Sequence, residues 1–278
     1  CFMIVIESGG TKSTWAYLDR DTQTAKFVET VGLHPREIDS NKRDVFSDFL
    51  HANKNHFTDS PVYFYGAGCE KPKGKATILE LFNSHGFKNV NVETDLKGAC
   101  LALLGNNSGY IGILGTGAVA AQFDGQKITK LTSGLGHLIG DEGSGFDIGK
   151  RLLNVYFNNG LPAYINTEIE NSFLPEKDII HRIYKTDGRK IIASLTHIAK
   201  KYSNEKAIQR ILDAAFSDYY YTALKPLPNI SEISLVGSIA YHFDNEVKRA
   251  LMKHDVAVQK IHQSAINPLF QYHLESVL

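Results

Sequence analysis

The segment "ILGTGAVAAQFDG", residues 113–125, consists of two apolar runs joined by a turn that is almost free of side chains. The turn is Gly115–Gly117, and Asp124-Gly125 turns the chain again after the second run. The pattern predicts a hairpin of two strands, 109–114 and 118–123. Glycine suits an ordinary hairpin turn because it tolerates positive φ. A bare turn also exposes main-chain amides, which can bind an anion such as phosphate.

A similar arrangement opens the chain, in "IVIESGGTKSTWAYLD", residues 4–19. Both series start with strand, glycine turn, strand, polar turn and strand. Both continue with helices, which the spacing of apolar residues predicts over 41–55, 76–85 and 96–104 in the first series and over 145–157 and 239–252 in the second. This weak repetition predicts an α/β fold made of a duplicated domain, with a cleft between the copies. Two glycine turns facing that cleft would hold a polyphosphate, with hydroxyl donors from Thr11, Ser13 and Thr116 and a positive charge from Lys12.

The overall composition excludes several classes of protein. The chain has 278 residues, enough for two ordinary cores, and its 30 basic and 30 acidic residues give zero formal charge. We therefore expect no nucleic acid and no membrane as partner, and a cytoplasmic location, since no leader-like or membrane-spanning segment occurs. Cys1, Cys69 and Cys100 are far apart, which argues against disulfides and a cysteine-held metal.

Two acidic positions stand where a helix is expected to begin. In "VETDLKGACLALLG", residues 92–105, Asp95 lies between a predicted strand and a predicted helix over 96–104. A carboxylate there can accept a proton from an attacking hydroxyl group, or it can simply cap the helix. Asp141 similarly precedes a helix predicted to begin near Gly145, so capping is again the alternative to a contact with a ligand.

Four stretches carry a resemblance that covers nearly the whole chain: "ESGGTKS" (7–13), "LGTGAVA" (114–120), "GLGHLIGDEGSGFDIGK" (134–150) and "SLVGSIAYHF" (234–243). In this order they resemble the first phosphate loop, the second phosphate loop, a glycine-rich signature and the adenosine segment of the actin-like ATPase superfamily. That superfamily includes sugar kinases and heat-shock ATPases. Within it, the chain is similar to the BadF/BadG/BcrA/BcrD-type ATPase family and its N-acetylglucosamine kinase members.

The resemblance implies two ribonuclease H-like, actin-like ATPase domains with ATP and Mg²⁺ in the cleft between them. The first domain is predicted to span residues 1–106, with a C-terminal helix in 262–278 packing back on it. The second is predicted to span 107–261. The resemblance further implies a homodimer.

Site residues follow from the resemblance position by position. Asp95 corresponds to the catalytic base, and Glu7 to the acid that organises Mg²⁺, mostly through water. Contacts to ATP are expected from Gly9, Gly10, Thr11, Lys12, Ser13, Gly115, Thr116, Gly117, Gly237 and Ser238. Contacts to the acceptor are expected from His34, Ala118, Val119, Gly140 and Asp141.

The acceptor positions depart from those of sugar-binding relatives. Those relatives have Ser and Asn after the glycines of the second loop, where this chain has Ala118 and Val119. They also have Asn at the position of His34, in "GLHPREI", residues 32–38. Asparagine offers a donor and an acceptor, whereas valine offers neither. The departures concern the acceptor pocket and leave the phosphate loops unchanged.

We therefore predict an ATP-dependent kinase that transfers the γ-phosphoryl group to a hydroxyl of a small polar acceptor, an amino sugar bound in an altered pocket. The alternative is a nucleotide-binding ATPase or sensor that has no sugar acceptor. A third option is an ATPase that donates electrons through a cysteine-ligated cluster at a dimer interface. Cys69 and Cys100 lack the neighbouring cysteines that such a cluster needs.

Overall fold

The computed structural model describes residues 3–10, 12–57, 59–175 and 178–277. The chain divides into two compact units. The first comprises Cys1–Asn106 together with Ala265–Leu278, and the second comprises Asn107–Ser264. Thr11, one of the predicted ATP-binding residues, lies outside the described residues.

The first unit is a mixed five-stranded sheet with helices, in the strand order β3-β2-β1-β4-β5. β1 is antiparallel to β2, as β2 is to β3, whereas β4 is parallel to both β1 and β5. The elements are β1 (Ile4–Ser8), β2 (Lys12–Leu18), β3 (Ala25–Val31), α1 (Ser40–Ala52), α2 (Lys54–Phe57), β4 (Val62–Gly66), α3 (Pro72–Ser84), β5 (Val90–Thr94), α4 (Asp95–Leu104) and the C-terminal helix (Ile266–Val277).

An aromatic cluster forms the core of this unit. Trp15 is fully buried, stacks on Phe57 and contacts Phe46 and Phe82, and its Nε1–H donates to the hydroxyl of Thr30. Such buried rings contribute much of the apolar area removed from water. The core therefore holds β2 against the helices and supports the turn that precedes it.

Two helix boundaries in the first unit differ from the predicted ones, and each follows from the chemistry of a nearby residue. A single helix was predicted over 41–55, but α1 ends at Ala52, where the side chain of Asn53 donates to the carbonyl of Phe49. α3 begins at Pro72, four residues before its predicted start at Ala76. Proline suits the first turn of a helix because its missing N–H needs no partner there.

The C-terminal helix belongs to this first unit. The hydroxyl of Tyr65, in β4, lies 2.8 Å from Nε2 of His273, and the hydroxyl of Tyr272 donates to Oδ1 of Asn106. The helix was predicted within 262–278 and begins at Ile266. The helix cannot begin at residue 262, because His262 is the last residue of a strand.

The second unit repeats the strand arrangement of the first, in the order β8-β7-β6-β9-β10. This identical order confirms the duplicated α/β architecture predicted from the two glycine turns. The elements are β6 (Ser108–Leu114), β7 (Ala118–Asp124), β8 (Ile128–Ser133), α5 (Gly145–Phe157), α6 (Ala163–Ser172), α7 (Ile179–Ile183), α8 (Gly188–Ser194), α9 (Thr196–Lys201), α10 (Lys206–Tyr219), a π-helical turn (Tyr220–Leu224), β9 (Glu232–Val236), α11 (Ser238–His242), α12 (Asp244–Met252) and β10 (Ala257–His262).

The sequence analysis did not predict β10. Its sequence, "AVQKIH", has no clear alternation of apolar residues, because it is an edge strand with an irregular register between Val258 and Lys260. The helix predicted over 239–252 is also divided, since Phe243 separates α11 from α12. Among the described residues of both units, no helix has the length and apolar character needed to span a membrane.

Candidate active site

In the first unit, three parallel strands end at the same edge of the sheet. Ser8 of β1 is in register with Gly66 of β4, which is in register with Thr94 of β5. The first glycine turn follows the end of β1, residues 66–68 lie at the end of β4, and Asp95 follows the end of β5. The three segments therefore lie at neighbouring strand ends. In α/β sheets this carboxyl edge is where ligands usually bind.

The first glycine turn is fixed from below by buried hydroxyl groups. Ser13 is fully buried, and its Oγ donates to the carbonyl of Val31 at 2.9 Å. Ser8 Oγ lies 2.7 Å from Ser13 Oγ and accepts from the N–H of Leu33 at 2.9 Å. From the sequence, the hydroxyl of Ser13 is expected to donate to phosphate. In the structure this hydroxyl donates to the carbonyl of Val31 instead, and it thereby stabilises the turn. Gly9 closes the hairpin with a bond from its N–H to the carbonyl of Lys12.

The charged groups around this turn are already paired. Lys12 is exposed and forms an ion pair with Glu29 on the neighbouring strand. Lys42, at the start of α1, donates to the carbonyl of Gly10 at 3.0 Å and lies 3.6 Å from Glu37. Exposed pairs of this kind are weak, so Lys12 can exchange Glu29 for another anion. The contact of Lys42 with Gly10 was not predicted from the sequence, because Lys42 lies on a helix that is distant from the turn along the chain.

Asp95 is the first residue of α4 and is not its cap. The cap is Thr94, whose hydroxyl accepts from the N–H of Lys97 at 3.0 Å. Oδ1 of Asp95 accepts from the N–H of Leu96 at 2.8 Å. The simple capping alternative considered for Asp95 is thus taken by its neighbour.

The electrostatic environment of Asp95 is unusual for the N-terminus of a helix. Removal from water, together with the carboxylates of Glu70 and Glu7, raises the pKa of its carboxyl to about 6 against the opposing Leu96 N–H. A helix N-terminus alone would lower the pKa. A carboxyl held near neutrality in this way is typical of acid–base groups at functional sites.

Glu7 lies near Asp95, and His34 lies near Gly68 in the same unit. Glu7, half-buried in β1, acts on the charge of Asp95. His34 packs against Gly68, where an added Cβ would lie 2.7 Å from its Nε2. Nδ1 of His34 accepts from the N–H of Arg36 at 3.3 Å, so the neutral ring carries its hydrogen on Nε2.

The two cysteines near this edge are chemically quiet. Cys69 and Cys100 are both fully buried and unpaired. Burial raises the pKa of each thiol to about 12. Since a metal cluster needs thiolates, these residues do not fit the electron-donating alternative.

In the second unit, the equivalent turn lies beside the start of α11. Ile113 of β6 is in register with Val236 of β9, so Gly115 and Gly237 both follow from the strand ends. Gly237 has φ of +123°, and a Cβ there would lie 2.2 Å from the carbonyl oxygen of Leu114. Only glycine permits that approach. Ser238, exposed at the start of α11, comes next along the chain.

Gly115 has a different reason to lack a side chain. Its φ is not in the left-handed region, and no heavy atom of the described residues lies within 4 Å of an added Cβ. Gly9, Gly10 and Gly117 also avoid positive φ. The hairpin explanation, which requires positive φ, therefore does not account for these glycines. A Cβ at Gly115 would instead fill the open cradle above the turn, next to exposed Thr116.

Asp141 lies against this second turn. Its carboxyl is buried, and an added Cβ at Gly117 would lie 3.0 Å from its Oδ2. Its backbone φ is +64°, uncommon for a residue with a side chain. Arg189 of α8 places Nη2 3.9 Å from Oδ2. The cap of α5 is Ser144, whose hydroxyl accepts from the N–H of Asp147, so Asp141 is not needed for capping.

The other residues predicted to contact the acceptor, Ala118, Val119 and Gly140, have no polar side-chain atoms. Ala118 is buried at the start of β7, and Val119 is half-buried, with its methyl group 3.4 Å from the Cβ position of Gly134. Gly140 lies where the loop folds back on Leu135, since an added Cβ at Gly140 would lie 3.0 Å from the Cβ of Leu135.

Sequence reasoning missed Asp147, which organises the signature loop. Its buried Oδ2 accepts from the N–H of Gly143 at 3.0 Å and from Nε of Arg151 at 2.9 Å. The spacing of Asp147 and Arg151 on one helix face was the available signal. The contact of Arg189 with Asp141 had no such signal, because it joins a loop to a distant helix.

No protein-family model matches the chain. A curated relative, the N-acetylmuramic acid/N-acetylglucosamine kinase of Clostridium acetobutylicum, is 26% identical over 239 residues, which are 79% of this chain and 77% of the relative.

Two solved structures share the fold. A Porphyromonas gingivalis protein provisionally described as an N-acetylglucosamine kinase has a TM-score of 0.88 and 26% identity, over 99% of this chain and 100% of that one. A ROK-family glucokinase of Streptomyces griseus, solved with glucose and AMPPNP, has a TM-score of 0.56 and 13% identity, over 98% of each chain. The second likeness concerns the fold alone.

The fold and these relatives define an ATP-dependent phosphotransferase of the sugar-kinase type, with the two-domain actin-like ATPase architecture. Within that class, the chain is similar to N-acetylglucosamine kinases, which confirms the resemblance seen in the sequence.

The raised pKa of Asp95 predicts how Asp95→Asn changes stability with pH. The folded protein holds this pKa at about 6, above the ordinary 3.8, so the ionised carboxylate opposes folding above about pH 6. At about pH 8 the variant should gain about 1–3 kcal/mol in free energy of unfolding, measured by denaturant titration. The gain should vanish near pH 4 or below, where the wild-type carboxyl is protonated in both states.

Asp124→Asn is the control of opposite sign. The N–H groups of Lys127 and Gln126 lower the pKa of the exposed Asp124 carboxyl. This variant should therefore lose stability at neutral pH and match wild type in acid. Equal behaviour of the two variants at every pH would contradict the environment described for Asp95.

Proposed function

We propose that this protein transfers the γ-phosphoryl group of ATP to a hydroxyl group of an amino sugar, with Asp95 as the general base. The observation that carries the proposal is the Asp95 carboxyl, at the carboxyl edge of the first sheet, with a pKa of about 6. At neutral pH this group is mostly ionised yet basic enough to take a proton. General bases of this kind contribute about 10²–10⁴-fold to a rate.

In the proposal, main-chain amides bind the phosphates of ATP. Gly10 would contribute its N–H from the first unit, and Thr116 and Gly117 would contribute theirs from the second. The N–H groups of Gly9 and Gly115 donate to the carbonyls of Lys12 and Gly117, so these two glycines would contribute only by leaving the turns open to phosphate. The cradle at Gly115 supports this, because neither φ nor packing there requires glycine. Amides already fixed by the hairpin stabilise developing negative charge without reorganisation. The adenosine end is assigned to Gly237 and Ser238, beside the same turn in the second unit.

The acidic groups of the first unit are compatible with Mg²⁺ delivered by ATP. No group of three or more His, Cys, Asp or Glu among the described residues forms a ready metal cage. Mg²⁺ bound to nucleotide needs only one or two protein carboxylates, because it keeps waters and binds phosphate oxygens. Glu7, which already acts on the charge of Asp95, would hold it through water. The ion would supply neutralisation of phosphate charge.

The acceptor pocket supports an N-acetyl amino sugar bound more through apolar contact than in relatives. Asp141 would accept from sugar hydroxyls, and the Nε2–H of His34 would donate. The side chains of Ala118 and Val119 offer no hydrogen bonds. Ala118 is buried, but the half-buried side chain of Val119 suits a methyl-bearing substituent such as an acetyl group. The curated relative is named for two acceptors of this chemical class, N-acetylmuramic acid and N-acetylglucosamine.

The loss of polar groups at Ala118 and Val119 also favours a second candidate, a nucleotide-binding sensor without a sugar acceptor. Such a protein would keep the glycine turns and Asp141 but would hydrolyse or merely bind ATP. In either case we propose a cytoplasmic location, which suits the free thiols of Cys69 and Cys100. The homodimer stays a prediction from the resemblance.

An acceptor screen separates the two candidates. ADP release is measured with ATP, Mg²⁺ and, in turn, N-acetylglucosamine, N-acetylmuramic acid, glucosamine, glucose and glycerol. We expect release that depends on the acceptor and is highest with the N-acetyl sugars. Tight ATP binding without acceptor-dependent turnover would favour the sensor, and preference for glucose or glycerol would reject the proposed acceptor.

Asp95→Asn tests the base directly. Asparagine retains the acceptor for the Leu96 N–H, so ATP affinity should stay unchanged while kcat falls by about 10²–10⁴-fold. Wild-type kcat/KM should also decline as the pH falls below about 6. Glu93→Gln is the matched control, because this nearby acid pairs with Lys75 at 2.7 Å and has no assigned role. Full phosphoryl transfer by Asp95→Asn would remove Asp95 from the mechanism.

A further inference from the structure

A cavity of about 580 Å³ opens in the second unit between α5, the segment that follows it, and α10. Its size lies within the range of small-molecule pockets. The floor is apolar, formed by Val155, Ala207, Ile211 and Ala214. The polar side chains that line it are the cations Lys150, Arg151 and Arg210 and the neutral Asn154, and among the described residues the lining includes no acid.

Two of these three cations are already balanced by carboxylates. Arg151 donates from Nε to Asp147 at 2.9 Å and from Nη2 to Asp218 at 2.7 Å. Lys150 shares the same Asp147 at 3.4 Å. The side chain of Asp147 is buried, so it neutralises both cations from behind the cavity wall.

Arg210 differs from them because no acid balances it. It is exposed on α10, and within the described part of the chain no ion pair or hydrogen bond engages its guanidinium. The nearest acid along the helix, Asp213, is engaged by Arg249 and Lys253. Glu205 accepts from the hydroxyl of Tyr164. The cavity therefore carries one unbalanced positive charge.

We propose that this cavity binds a small amphipathic monoanion, such as an aryl or alkyl molecule with one acidic group. The acidic group pairs with Arg210, assisted by Lys150, whose ion pair with Asp147 is long and exposed on the lysine side. The planar guanidinium suits a carboxylate, sulfonate or phosphate. The apolar body packs on Val155, Ala207 and Ile211.

This site is separate from the proposed kinase function and does not depend on it. None of its lining residues belongs to the phosphate turns or the acceptor positions. It is connected to the glycine-rich signature (134–150) through the lining residue Lys150 and through Asp147, which accepts from the N–H of Gly143 on its other side.

The test uses a matched pair of fluorescent probes on the whole protein. 1-Anilinonaphthalene-8-sulfonate has an apolar ring system and one sulfonate, whereas N-phenyl-1-naphthylamine has the same rings without the charge. We expect saturable binding of the sulfonate. Arg210→Glu should weaken it about tenfold or more, with little effect on the neutral probe.

Two further variants complete the test. Ala214→Trp fills the cavity from an exposed helical position and should abolish binding of the sulfonate probe. Lys206→Glu makes the same charge reversal on α10 outside the cavity and should leave binding unchanged. The proposal is overturned if the sulfonate binds equally to wild type, Arg210→Glu and Ala214→Trp. It is also overturned if Lys206→Glu weakens binding as much as Arg210→Glu does.

Discussion

Phosphate oxygens approach a main-chain amide most closely where no Cβ stands in the way, and the turn after the first strand of each sheet meets this constraint. In each unit a hairpin turn of glycines follows the first strand, which ends in register with its parallel neighbours. At Gly115 the constraint is clearest, because the turn needs glycine neither for φ nor for packing. The surrounding elements hold that bare backbone rigid.

The chemistry proposed for the protein depends on a second balance, between the N-terminus of α4 and the acids around it. The helix and the Leu96 N–H favour an ionised Asp95, whereas burial and the charges of Glu70 and Glu7 oppose it. The result is a carboxyl that is destabilising in the folded protein and useful as a base. Functional sites commonly carry such local costs in stability.

Much of the fold and part of the site could be predicted from the sequence. The glycine turns and the start of α5 at Gly145 are local patterns, and the structure has them as predicted. β10 and the division at Phe243 were missed because tertiary pairing outweighs local propensity there. The burial of Ser13 and the contact of Arg189 with Asp141 also depend on residues distant in sequence.

The central claim is tested most directly by calorimetric titration of Gly115→Ala with ATP and Mg²⁺. Because the added methyl group would have no heavy atom of the described residues within 4 Å and φ is not left-handed, the variant should keep wild-type thermal stability. Its ATP affinity should fall about tenfold or more. Gly105→Ala, strained at φ +60° and outside both turns, should show the reverse pattern. Wild-type ATP affinity in a stable Gly115→Ala protein would contradict the account.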